Sequence, residues 1–73
     1  MEQIFQIKKD KDFVTLGQVL KMEAIIYSGG AAKIFLEENE ILVNNERELR
    51  RGRKLYPGDK ISFSDISIMI EGA

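Results

Sequence analysis

Residues 50–54 read Arg-Arg-Gly-Arg-Lys, and the chain then bends through Tyr56-Pro57-Gly58-Asp59. Arg50, Arg51, Arg53 and Lys54 therefore stand within five positions at the edge of a turn. The chemistry open to such a cluster is the capture of a polyanion. Arginine offers a rigid planar fork of N–H donors that matches phosphate oxygens and stacks on flat rings, whereas a solubilising surface is served equally well by lysine. Between residues 47 and 60, six cations (Arg47, Arg50, Arg51, Arg53, Lys54 and Lys60) face two acids, Glu48 and Asp59. That stretch carries +4 in a chain whose formal total is −1, so the remaining 59 residues carry −5. Residues 37–40, Glu-Glu-Asn-Glu, hold −3 of it. Local fields rather than net charge decide where a polyanion docks.

Further candidates lie upstream. Lys21 and Lys33 add cations, and Ser28-Gly29-Gly30 precedes a helical pattern. A helix start with bare backbone N–H groups receives phosphate; equally, paired glycines let two helices approach closely. Tyr27 and Tyr56 flank these regions, and partly buried packing is favoured over base stacking for each. A second interpretation of the charges is a solvated face. The arginines then pair with Glu46, Glu48 and the acids at 37–40, and Lys33 pairs with Glu37 four residues on. On that view the acidic edge 37–40 is the dock of a protein-interaction module.

Catalysis is disfavoured. The chain has no His and no Cys, which removes the commonest general base, the commonest nucleophile and the usual zinc ligands. No metal site and no cofactor is expected. Seventy-three residues make one domain with little volume for a closed, dry pocket. The interrupted apolar start, Met1 to Asp10, reads neither as a signal peptide nor as a membrane span, and a cytoplasmic protein is expected.

The elements that position these residues follow from periodicity. Residues 4–7 form an apolar run of strand length. Thr15 is a helix cap followed by Leu16, Val19 and Leu20 at helical spacing, and the helix should end near Glu23. Residues 24–27 read as a buried connection. Residues 28–39 read as a second helix, capped by Ser28, buried through Ala31, Ala32, Ile34, Phe35 and Leu36, and ended by a left-handed Asn39. The period then changes to two. Residues 40–49 form two strand pieces about an Asn44-Asn45 type I′ turn, and Pro57-Gly58 is a type II turn locking, with Gly52, the basic loop. Residues 60–63 and 67–70 are the last strands, joined by a tight bend at 64–66. The order β-α-α-β-β-β implies an α+β domain, with a helix pair packed on a small antiparallel sheet.

The run from Thr15 to Ile61 resembles the RNA-binding domain first described in small-subunit ribosomal protein S-four, whose core is the two-helix αL motif. It is most similar to the small stand-alone, YaaA-like branch. Two motifs carry the likeness: Ser28-Gly29-Gly30-Ala31-Ala32-Lys33 at the second helix, and Arg50-Arg51-Gly52-Arg53-Lys54-Leu55-Tyr56-Pro57-Gly58-Asp59 near the end. The resemblance implies a non-catalytic module that binds structured ribosomal or transfer RNA, at the ribosome in some settings. It implies Lys21, Ser28, Gly29, Gly30, Lys33, Arg50, Arg51, Arg53 and Lys54 as the RNA-binding residues. The expected partner is RNA, with room for a ribosomal or other protein; no membrane is expected, and a monomer is. The chain departs from the pattern at Asn45, where a turn glycine is usual, at Ala24, where many members end the helix with glycine, and at Thr15 and Gly17, which replace a familiar cation and acid.

Overall fold

The computed structural model describes residues 1–72. The chain runs β1 (Glu2–Gln6), β2 (Val14–Thr15), α1 (Leu16–Met22), α2 (Ala31–Glu38), β3 (Leu42–Val43), β4 (Glu46–Arg47), β5 (Lys54–Leu55), β6 (Lys60–Phe63) and β7 (Ile66–Glu71). Thr15 starts α1 through a capping box: its hydroxyl accepts from Gln18 N at 3.3 Å, and Gln18 Oε1 accepts from Thr15 N at 2.9 Å. The other end of α1 is a Schellman motif. Ile25 N donates to Leu20 O and Ala24 N to Lys21 O, with Ala24 at φ 60°.

Helix α2 is shorter than its periodicity suggests. It begins at Ala31 with Gly30 as its cap residue, while Ser28 supports it through Oγ, which accepts from Ala31 N at 3.3 Å. Asn39 ends it in extended backbone (φ −128°) rather than left-handed, because its amide Nδ2 donates back to Phe35 O. Ala32 and Leu36 are buried, Ala31 and Phe35 are half-buried, and Ile34, expected inside, is 59% exposed. The connection 24–27 is also more open than expected: Ile26 alone is buried, and Tyr27 is 94% exposed.

Five strands form one sheet in the order β1-β7-β6-β3-β4. Its β6–β7, β3–β6 and β3–β4 pairs are antiparallel, but β1 runs parallel to β7, with Ile4 beside Met69. The sheet is thus mixed rather than wholly antiparallel, because the two ends of the chain meet side by side and everything between them serves as the crossover. The helices cover one face. Leu16, Val19 and Leu20 of α1 and Leu36 of α2 join Val43, Ile61, Ile68 and Ile70 of the sheet in one core. Phe35 of α2 meets Phe63 of β6 edge to face at 5.2 Å. Each fully buried Leu or Ile contributes about 1.5–3 kcal/mol relative to exposure.

Two turns are tied together. Asn44 and Asn45 both have positive φ (52° and 70°), as a type I′ turn requires, and Gly58 stands at φ 99° in the second turn. Asn44 Nδ2 donates to Asp59 Oδ1, Lys60 N donates to Asn44 Oδ1, and Asp59 Oδ2 accepts from Tyr56 N. No helix among the described residues is long and apolar enough to cross a membrane.

Candidate nucleic-acid interface

The basic loop is fixed by the start of α1. Strands β2 and β5 form a separate two-residue pair, Val14 with Leu55 and Thr15 with Lys54, which lays residues 50–53 against the helix N-terminus. There Leu16 N donates to Arg53 O and Gly17 N to Arg51 O, both at 2.9 Å. The first free N–H groups of a helix need partners, and here the carbonyls of the basic loop supply them. Gly17 permits the approach: a Cβ on it would lie 3.3 Å from Arg51 O and 3.4 Å from Arg51 Cβ.

A second clamp lies beneath the loop. Glu48 is buried, and its carboxylate accepts from the Leu49 and Arg50 backbone N–H groups, from Arg50 Nε and Nη2, and from Arg53 Nη1. The Arg50 side-chain bonds, helped by Arg53 and the Arg50 N–H, outweigh burial and lower the Glu48 pKa from the usual 4.5 to about 2. Glu48 raises the Arg50 pKa in turn. Arg50 remains 75% exposed and Arg53 34% exposed, so both guanidinium groups keep solvent-facing donors.

Two hollows open beside the loop. One, about 320 Å³, lies where α1, the 28–30 segment and the basic loop converge; Thr15, Gly17, Gln18, Lys21, Gly29 and Arg51 line it. Arg51 Nη1 donates to Gly29 O at 3.0 Å and so joins two of its walls. The other, about 530 Å³, is lined by Arg50, Gly52, Arg53, Lys54 and Tyr56. Lys54 Nζ stands 4.9 Å over the Phe13 ring, which in turn tilts against Tyr56.

A scan of family models matches the S4 domain over residues 5–71. The chain belongs to the S4 domain family. It is also 56% identical over 57 residues to the "Probable ribosome maturation protein RlbA" of Bacillus subtilis (strain 168), a match covering 78% of this chain and 80% of that protein.

In this S4 domain the fold gathers Lys21, Gly29 and Arg51 about one groove and Arg50, Arg53 and Lys54 about its neighbour, with Gly52 shared between them. Ser28 and Gly30 adjoin Gly29 but line neither hollow, and Lys33 projects from α2 as an exposed residue outside both. The glycine pair does not serve close helix packing, since a Cβ on Gly29 or Gly30 would meet nothing within 4 Å. The same is true of Gly52, so Pro57-Gly58, the β2–β5 pair and Glu48 hold the loop without it. The solvated-face interpretation holds for Arg50 and Arg53 only as regards Glu48; the two ion pairs found among the described residues are both theirs.

The sequence names Glu48 only as a surface partner of the arginines and Gly17 only as a departure from a pattern, and it leaves Gln18 and Phe13 unmarked. Glu48 is flanked by cations in Arg47-Glu48-Leu49-Arg50, but spacing alone does not reveal that its side chain turns inward. Gly17 was visible only as a departure from the family pattern, and nothing local distinguishes it from a glycine of no consequence.

Proposed function

We propose that this protein is a non-catalytic RNA-binding module that docks structured ribosomal or transfer RNA across the grooves beside residues 50–54. Membership of the S4 family and likeness to a protein described as a probable ribosome maturation protein support a role at the ribosome or its precursors, in the cytoplasm. The observation that carries the reading is the convergence of Lys21, Gly29 and Arg51 on one open groove, with the loop backbone already hydrogen-bonded to α1. Preorganised cations lose little conformational entropy on meeting phosphates. Lys21, Ser28, Gly29, Gly30, Lys33, Arg50, Arg51, Arg53 and Lys54 are the proposed contact residues.

The test is a salt titration of binding to ribosomal RNA fragments, with duplex DNA as control. Four phosphate contacts predict a fall of roughly a hundredfold between about 50 and 200 mM salt. A Lys21→Glu/Arg51→Glu variant, with folding checked by circular dichroism, is expected to lose that binding. This pair is preferable to reversing Arg50 and Arg53, which would place new carboxylates against Glu48. A flat salt response, or a folded variant that binds as well as wild type, would sink the reading.

A further inference from the structure

A third hollow, lined by aromatic and thioether side chains, is not used by the phosphate contacts proposed above. It has a volume of about 410 Å³ and lies between the end of β1, the 8–13 loop and α1; its walls include Phe5, Phe13, Met22 and Gln18, with Lys8 and Lys11 beside them. We propose that this hollow receives one unpaired nucleobase of the same RNA whose phosphates lie along the cationic groove, an inference that rests on the RNA-binding reading.

Three observations select this occupant. The hollow and the cationic groove are neighbours, because Thr15 and Gln18 line both. A strand whose backbone follows Lys21 and Arg51 therefore passes the opening of an apolar slot. The slot itself joins aromatic and thioether surface to cations, the combination on which bases stack while their phosphates are neutralised. Exposed Lys8 and Lys11 contribute to it directly, and Lys54 sits over the ring of Phe13. An apolar side chain of a protein partner would find no acid-seeking use for those lysines other than an acidic flank, whereas every nucleotide brings its own negative charge. Finally, Gln18 offers a directional contact. Its Oε1 is held by Thr15 N, which fixes the amide and leaves the NH2 group of the same side chain to donate to a base carbonyl or ring nitrogen. A base inside a regular duplex presents no free face, so the occupant is a bulged, looped or terminal nucleotide.

The probe is a pair of RNA hairpins, one fully paired and one carrying a single bulged 2-aminopurine. At low salt the wild-type protein is expected to bind the bulged hairpin about tenfold more tightly, within the range that one base–aromatic stack supplies, and to change the emission of the bulged base. Phe13→Leu keeps apolar volume but removes the ring; it is expected to lose the preference and the emission change while still binding the paired hairpin. Met22→Ser removes part of the wall at a residue that is 61% exposed, and so reports on the hollow even if Phe13→Leu folds poorly. Equal binding of both hairpins with unchanged emission overturns the proposal and leaves the phosphate reading intact. Retention of the preference in both variants overturns it as well. Failure to bind either hairpin overturns both readings together.

Discussion

Arg53 Nη1 donates to Glu48 Oε1 at 2.8 Å, across a carboxylate whose other oxygen holds Arg50 Nε at 3.1 Å. One buried acid thus anchors two cations of the basic loop and, through the Leu49 and Arg50 N–H groups, its backbone as well. A negative charge within a polyanion site ordinarily weakens binding. Here it sets the geometry in which Arg50 and Arg53 share a surface, its charge offsetting part of their mutual repulsion.

Glu48→Gln separates charge from geometry. The amide preserves the shape but turns an NH2 group toward arginine donors, and stability is expected to fall by about 2 kcal/mol in urea denaturation, the usual worth of bonds to a charged group. RNA affinity is expected to fall severalfold although the net charge rises by one. If affinity instead rises, as counting charges dictates, the clamp plays no part in binding.

The same carboxylate gives a pH signature. Its folded pKa is about 2 against the ordinary 4.5, so the folded state favours the ionised form. Its contribution is fully present above about pH 4.5 and is lost as pH falls from there toward about 2. Thermal melts between pH 6 and pH 2 are expected to show wild type losing stability through this window, and Glu48→Gln losing distinctly less. Parallel curves for the two proteins would assign the acid sensitivity to other groups.

Much of this fold is legible locally, and what is not legible is non-local. The Thr15 cap, the Asn44-Asn45 turn and the Pro57-Gly58 turn depend on backbone preferences of a few adjacent residues, and each stands where its residue types place it. The parallel pairing of β1 with β7 and the short β2–β5 pair depend on residues about 40 or more apart, and two-residue strands leave no periodicity to detect. The cations of the site announce themselves by type and spacing. What the sequence conceals is direction: that Glu48 points inward, that Ile34 and Tyr27 point outward, and that Lys33 stands apart from the groove.

Glycines at the site divide into two kinds, and substitution distinguishes them. Gly17→Val is expected to cost about 1–3 kcal/mol, because a branched side chain would meet the Arg51 carbonyl that α1 holds. Gly29→Ala and Gly30→Ala have open space and no positive φ, so stability should be unchanged or slightly raised. Urea midpoints measure the first point; RNA titration of the two alanine variants then measures contact with the ligand free of any folding defect. A destabilised Gly30→Ala would show that its backbone is more constrained than its surroundings indicate.

Two positions carry a side chain where the family pattern favours glycine, and both have positive φ: Ala24 at 60° in the Schellman motif and Asn45 at 70° in the type I′ turn. Alanine in this region suffers contact between Cβ and backbone oxygen, about 1 kcal/mol or more, whereas asparagine tolerates it well. Ala24→Gly is therefore expected to stabilise the protein by about 0.5–1 kcal/mol, after the greater unfolded-state entropy of glycine is set against the strain. Asn45→Gly is expected to gain at most a few tenths. Asn44→Gly provides the contrast. Its φ is equally positive, but its side chain links the two turns through Asp59 and Lys60, so the same replacement should cost about 1–2 kcal/mol. The order Ala24→Gly above Asn45→Gly above Asn44→Gly in urea midpoint follows only if strain governs the first two positions and hydrogen bonding governs the third. Equal gains at residues 44 and 45 would mean that the Asn44–Asp59 link contributes nothing to stability.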